Sequence, residues 1–129
     1  MDIHFSDQHA IPLPPQDVKI KEVRVEPYPD KKRVRLFVEL TPFQKNPSGD
    51  VLIFNQTGEI VASASFIEAV APKFDFTLHL KASETGKFIA NLILFYTSEI
   101  EERTSGEEGM VRPEKWVVDR MEQVFLIED

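Results

Sequence analysis

The stretch RVRLFVEL at residues 33–40 decides the fold class of this chain. Its apolar residues stand at every second position from Val34 to Leu40, and the same alternation returns in FDFTLHLK at residues 74–81. Side chains on a strand point to opposite faces in turn, so each run has one buried face and one wetter face. Further short apolar runs lie between and after these two. The pattern predicts a two-layer antiparallel β protein.

The composition indicates one soluble globular domain. The chain has 129 residues, a formal net charge of −7 and a pI of about 5.0, and this length suits a single domain. An acidic balance disfavours nucleic acid, whose phosphates require Lys and Arg, and it disfavours docking on anionic lipid. The chain has no cysteine, which excludes disulfides, thiolate metal sites and a cysteine nucleophile.

Residues 1–17 are predicted to form an extended tail, and residues 18–129 a single β-sandwich domain. Three prolines between positions 12 and 15 remove backbone donors and favour an extended path. The first 15 residues lack the basic start and apolar core of a signal peptide. No segment approaches the ~20 apolar residues that span a bilayer. We therefore expect a cytoplasmic protein without a membrane partner, and leave an extracellular location open.

Turn residues divide the chain into seven predicted strands. They cover residues 18–28, 32–41, 51–55, 60–67, 72–80, 88–98 and 116–127. The first strand changes its apolar parity, which predicts a β-bulge near Lys21–Glu22. The small residues at 62–65 place the fourth strand at a sheet edge or beside a close neighbour. Gly58 suits the positive φ of a hairpin turn between the third and fourth strands.

The last segment, residues 116–127, admits either a helix or a strand. Several of its apolar residues lie near helical spacing, whereas its apolar ending is typical of a strand. We favour a strand that forms a long hairpin with the sixth. A register with Asn91 opposite Gln123 matches two polar residues and sets Ile89 against Phe125.

Two stretches resemble parts of a known fold class. VLIFNQTGEIVA at residues 51–62 and TGKFIA at residues 85–90 are similar to a hairpin and a strand entry of bacterial immunoglobulin-like and fibronectin type III-like modules. Phe88 stands where such folds often have tyrosine, and the paired cysteines of antibody domains are absent. The resemblance implies an all-β, seven-stranded antiparallel immunoglobulin-like sandwich with a Pro-rich N-terminal tail. It also implies a binding or spacing module rather than a catalyst.

The sequence contains no pattern that predicts catalysis or a structural metal. His4 and His9 lie in the tail and His79 on the polar side of its strand, where solvated histidines are a simpler interpretation than metal ligands. No Gly-x-Ser-x-Gly elbow is present. The glutamates within residues 99–109 lack a calcium-loop pattern, although weak Ca²⁺ binding stays open. We expect a non-enzymatic protein with no catalytic residue, no metal and no cofactor.

The sixth strand carries more apolar surface than one core can absorb. Both of its faces are apolar, and so are both faces of the third strand. In an immunoglobulin-like sandwich these strands pair within one sheet beside the last strand, so the surplus would lie on the outside of that sheet. Exposed apolar patches of a few hundred Å² commonly mark interfaces. The predicted interface residues are Leu52, Phe54, Ile89, Ile93, Phe95, Phe125 and Ile127.

This surplus predicts an interaction or structural module whose partner is another protein or a second copy of the chain. The alternative is a sandwich that binds carbohydrate or Ca²⁺, with Trp116, Tyr96 and Tyr28 exposed around a groove. The chain could also cover its own apolar face, either with the connection that bears Met110 and Val111 or with its tail.

Overall fold

The computed structural model describes residues 11–97 and 115–128, which form seven antiparallel strands and a short 3-10 helix, Pro15–Asp17. The strands are β1 Ile20–Pro27, β2 Arg33–Leu40, β3 Ser48–Phe54, β4 Ile60–Phe66, β5 Lys73–His79, β6 Gly86–Thr97 and β7 Lys115–Ile127. One sheet has the order β1-β2-β5 and the other the order β4-β3-β6-β7. The predicted all-β sandwich of seven strands is confirmed. No helix in the described residues is long and apolar enough to cross a membrane.

The core lies between the two sheets and follows the alternation seen in the sequence. β2 illustrates it, because its inward residues are at most 1% exposed: Val34, Leu36, Val38 and Leu40. At one open edge of the sandwich, Phe66 of β4 packs against Phe74 of β5 with ring centroids 4.8 Å apart. At the other edge β7 contacts β1. Both sheets therefore share one continuous interior.

β1 contains the bulge that its change of parity predicts. The pairing with β2 shifts by one residue between Ile20 and Glu22. Because of the extra residue, Ile20 and Val23 both face the core, at 6% and 4% exposure. The Ile20 N–H donates to the Asp119 carboxylate at 2.8 Å, which links the start of β1 to β7.

Leu13 attaches the segment before β1 to the sandwich. Its N–H donates to the Pro42 carbonyl at 3.1 Å, and its own carbonyl accepts from the Gln44 N–H at 2.9 Å. These bonds form an isolated parallel bridge between Leu13 and Phe43. Leu13 therefore lies at the connection between β2 and β3, while Ile11 remains 74% exposed.

The last segment is a strand, as predicted, but its register differs by one residue from the expected one. Asn91 lies opposite Glu122 rather than Gln123, and Ile89 lies opposite Val124. Phe125 consequently pairs with Phe88, and their rings stack at 5.4 Å in the core. A shift of one residue moves every side chain of a strand to the other face. The buried stack with Phe88 provides the physical reason for the observed register.

Candidate functional site

The three-stranded sheet exposes charged side chains that pair with one another. The Arg35 guanidinium donates to the Asp75 carboxylate at 2.9 Å. Phe37, an aromatic residue on this face, lies beneath the Arg24 guanidinium, whose central carbon is 4.1 Å from the ring centroid. The charged groups of this surface are thus paired, by an ion pair at Arg35 and by cation–π packing at Arg24.

The four-stranded sheet exposes an apolar row that crosses all of its strands. Phe54 of β3 lies opposite Ile60 of β4 on one side and Ile89 of β6 on the other. Ile89 in turn lies opposite Val124 of β7. Ile60 is 45% exposed and Val124 51% exposed, while Phe54 and Ile89 are half-buried. Aligned side chains of this kind form a continuous surface on one face of a sheet.

Two further apolar residues extend this row. Leu126, on the outward parity of β7, is 55% exposed and lies opposite Lys87. Leu52, two residues before Phe54, is half-buried and lies between Ser63 and Asn91. We call these six residues the apolar patch: Leu52, Phe54, Ile60, Ile89, Val124 and Leu126.

Charged residues border the apolar patch on the side where β3 and β7 begin. Asp50 lies opposite Ile93, and its carboxylate accepts from Lys115 Nζ at 2.8 Å and from Ser65 Oγ at 2.7 Å. Partial burial raises the pKa of Asp50, but these two hydrogen bonds outweigh it, and the net pKa is lowered. Lys115 also lies over the Phe95 ring at 4.7 Å. The apolar patch therefore has a polar rim on this side.

The structure separates the seven residues predicted from the sequence into three groups. Leu52, Phe54, Ile89 and Ile93 lie on the outer face as predicted, and each is half-buried. Phe95 has the outward parity but is 4% exposed, so it offers little surface.

Phe125 and Ile127 belong to the core, at 8% and 2% exposure, and their placement on the outer face was wrong. The physical reason is the register of β7, which turns both side chains inward. The same shift turns Val124 and Leu126 outward, and sequence reasoning missed them for that reason. It also missed Ile60, although the hairpin turn at Gly58, with φ +87°, could have indicated that Ile60 faces Phe54.

The described residues contain no group of three or more His, Cys, Asp or Glu side chains that could hold a metal ion. His79 is exposed at the end of β5. His4, His9 and the glutamates of residues 99–109 lie outside the described residues, as do Met110 and Val111.

The three aromatic residues expected around a ligand groove do not share one exposed surface. The Tyr28 hydroxyl bonds to Thr77 of β5 at 3.1 Å. Tyr96 is 3% exposed, and its hydroxyl donates to the Lys45 carbonyl at 2.7 Å. Trp116 is 49% exposed and packs against Tyr96 at 6.1 Å. A shallow groove of about 300 Å³ lies on the three-stranded sheet, beside Phe37.

No protein-family profile matches the chain, and no curated protein sequence matches it. Among solved structures, the chain is similar to part of a β-glucuronidase of Bifidobacterium dentium that was solved with coumarin-3-O-glucuronide. The two are 14% identical with a TM-score of 0.56, over 86% of this chain and 18% of the enzyme.

A β-glucuronidase of Ruminococcus gnavus, solved with D-glucuronic acid, is 13% identical with a TM-score of 0.49, over 88% of this chain and 16% of the enzyme. This chain thus spans less than a fifth of the length of either enzyme. The likeness to the Bifidobacterium enzyme shows a shared β-sandwich fold.

Proposed function

We propose that this chain is a non-catalytic β-sandwich module that binds another protein through the apolar patch. The observation that supports this proposal is the apolar row from Ile60 to Val124, which crosses all four strands of one sheet. The other sheet shows what a solvated outer face looks like, with ion pairs such as Arg35–Asp75. An apolar outer face beside such a solvated one is typical of an interaction surface.

The arrangement of the apolar patch resembles that of a protein interface. Interfaces combine an apolar centre with a polar rim. Here Asp50, Lys115 and Ser65 form a hydrogen-bonded group at one end of the face, and Asn91 and Glu122 lie opposite each other beside Leu52. These polar groups would fix the orientation of a partner, and the apolar residues would supply most of the affinity.

We also propose that the sandwich is immunoglobulin-like. A constant-type immunoglobulin domain pairs its first, second, fifth and fourth strands in one sheet and its third, sixth and seventh in the other. This chain has the same order except that β4 pairs with β3 in the second sheet. Such sandwiches serve many unrelated roles, so the role depends on the surface of the module rather than on its fold.

The comparison supports a non-catalytic role. The Bifidobacterium protein is named as a β-glucuronidase, and this chain corresponds to 18% of it. We propose that the corresponding part is an accessory sandwich rather than the catalytic part.

The test of protein binding is affinity capture with three forms of the folded chain: wild type, Val124→Asp and Val70→Asp. Val124 lies in the apolar patch, whereas Val70 is 91% exposed in the connection between β4 and β5. A protein retained by the wild type is then purified and titrated against all three forms by calorimetry. We expect Val124→Asp to weaken binding at least about tenfold, because it introduces a charge into the interface, and Val70→Asp to bind as the wild type does. Equal binding by all three forms would contradict the proposal.

The alternative function, binding of carbohydrate or Ca²⁺, is favoured by one observation, the likeness to an enzyme that was solved with a glucuronide. A sugar would need an accessible aromatic face, and the Phe37 ring beside the groove is covered by Arg24. Calorimetric titration with glucuronic acid and with Ca²⁺ decides the matter. Heat of glucuronic acid binding that is lost in Phe37→Ala, or any heat of Ca²⁺ binding, would establish this alternative, and an absence of heat with both ligands would remove it.

A further inference from the structure

The charged residues on the outer face of β7 are arranged about Val124 with opposite signs on its two sides. Alternate residues of a strand share a face. The exposed residues on the face of the apolar patch are Arg120, Glu122, Val124, Leu126 and Glu128, the last directly after the strand. Arg120 precedes Val124 by as many residues as Glu128 follows it. Among the described residues, neither Arg120 nor Glu128 forms an ion pair.

A second pair of charges lies on the two sides of the apolar row. Lys87 of β6 lies opposite Leu126, one step beyond the row on the side of the hairpin between β3 and β4. Glu122 lies opposite Asn91 on the other side of the row, and its carboxylate accepts from Asn91 Nδ2 at 3.4 Å. Within the part of the chain that the structure describes, Lys87 and Glu122 also form no ion pair. The row therefore has a basic group on one side and an acidic group on the other.

We propose that the apolar patch binds the apolar patch of a second copy of this chain, face to face, with a two-fold axis along the apolar row. Rotation about this axis sets each strand over its own copy in the reverse direction. Val124 then lies against Val124 of the second copy, and Arg120 lies against its Glu128. Glu122 lies against Leu126 of the second copy, beside its Lys87. Contacts between different residues occur twice in a two-fold interface, so both pairs of opposite charge form twice.

Charge complementarity selects this axis. A two-fold axis parallel to the strands would also bury the apolar row, but it would set Arg120 against Ser65 and Glu122 against Ser63. No opposite charges would then lie directly against each other. Packed sheets keep their strands within about 30° of each other, and long Arg, Lys and Glu side chains span the offset that this leaves. The face is thus complementary to itself in one orientation, which favours a second copy as the partner.

The size of the contact predicts a weak dimer. Four strands about 4.8 Å apart, over the length from Arg120 to Glu128, offer about 500 Å² of flat area per copy. The two copies together would bury about 1,000 Å², which is near the lower limit for specific interfaces. This inference rests on the proposed function, because it names the partner of the same apolar patch.

The test is the molar mass by light scattering of the wild type, Arg120→Glu, Glu128→Arg, the double variant with both substitutions, and Lys32→Glu. Concentrations run from about 1 μM to about 1 mM, the range in which weak dimers dissociate. Either single variant sets like charges against each other, whereas the double variant reverses both signs and restores the match. Lys32 is exposed in the turn before β2, on the other sheet. Lys32→Glu changes the net charge as Arg120→Glu does and is the matched control, and circular dichroism checks that all five forms are folded.

We expect the wild type and Lys32→Glu to dimerise equally, each single variant at least about tenfold more weakly, and the double variant to recover. Raising NaCl from about 0.05 M to about 0.5 M should weaken the wild-type dimer. A wild type that stays monomeric over the whole range would overturn the inference, and the capture experiment would then decide the proposed function separately. A double variant as weak as the single variants would also overturn it. So would dimers that Val124→Asp abolishes but that neither single charge variant changes, because the outer face would then pair about another axis.

Discussion

The register of β7 can be tested by truncating two consecutive residues that point to opposite faces. Phe125 is 8% exposed and Val124 is 51% exposed. In the observed register, Phe125→Ala removes a core side chain, whereas Val124→Ala trims a half-exposed one. In the register predicted from the sequence, with Ile89 opposite Phe125, the two residues would exchange places. The order of the two effects on stability therefore distinguishes the registers.

The expected magnitudes follow from burial. A buried Phe→Ala substitution typically costs about 3–5 kcal/mol, because it leaves a cavity. Val124→Ala removes two methyl groups that are about half buried, worth about 0.8 kcal/mol at about 0.8 kcal/mol per buried group. The lower strand propensity of alanine adds at most about 1 kcal/mol. Phe125→Ala should thus cost at least about 1 kcal/mol more than Val124→Ala.

Urea denaturation followed by circular dichroism measures both free energies of unfolding, provided that the slope with urea is unchanged. A double-mutant cycle with Phe88→Ala adds a direct test of contact, since the two rings stack at 5.4 Å. We expect a coupling of about 0.5–1.5 kcal/mol between Phe88 and Phe125. If Val124→Ala costs as much as Phe125→Ala, or if the coupling is zero, the register described here is wrong.

Two further predictions concern the core. Tyr96→Phe removes the hydroxyl that donates to the Lys45 carbonyl and should cost about 0.5–1.5 kcal/mol at neutral pH. Burial raises the pKa of Tyr96 above its ordinary value of 10.0, so its contribution to stability is complete below pH 10 and is lost as the pH rises through the folded-state pKa. The stability difference between wild type and Tyr96→Phe should therefore shrink in urea titrations above pH 10, and a difference that grows there would contradict this. Gly49→Ala should lower the free energy of unfolding by about 1–3 kcal/mol, because the added Cβ would lie 2.3 Å from the Phe66 ring. Thermal unfolding of Gly49→Ala tests this, with Ser83→Ala as a surface control. An unchanged melting temperature would contradict the prediction and show that the ring moves freely.

Local patterns predicted much of the fold because the strands obey period-two alternation. β2 and its buried residues follow directly from RVRLFVEL. The bulge in β1 followed from a change of parity, which a strand can make only by inserting a residue. The small side chains of β4 predicted either a sheet edge or a close neighbour, and β4 is an edge strand.

Pairing between strands could not be predicted in the same way, because it depends on contacts across the core. In β7 the two candidate registers differ by one residue, and both match apolar residues with apolar ones. The polar match of Asn91 with Gln123 favoured the predicted register. The observed register instead buries Phe125 against Phe88. A buried aromatic stack outweighs a solvated polar pair, since the polar groups can bond to water instead.

The one-residue difference between the predicted and the observed register of β7 changes which side chains lie on the outer face. With Phe125 and Ile127 in the core, the surplus apolar area of the outer face shifts towards the hairpin between β3 and β4 and towards the end of β7. Ile60, Val124 and Leu126 supply the more exposed part of that area, while Phe54 and Ile89 lie between them. The face therefore offers branched aliphatic side chains at its margins and one aromatic ring near its centre. In the proposed interface, a partner would place an apolar side chain over Phe54 and keep its own charges at the end of the sheet where Asp50 and Lys115 pair.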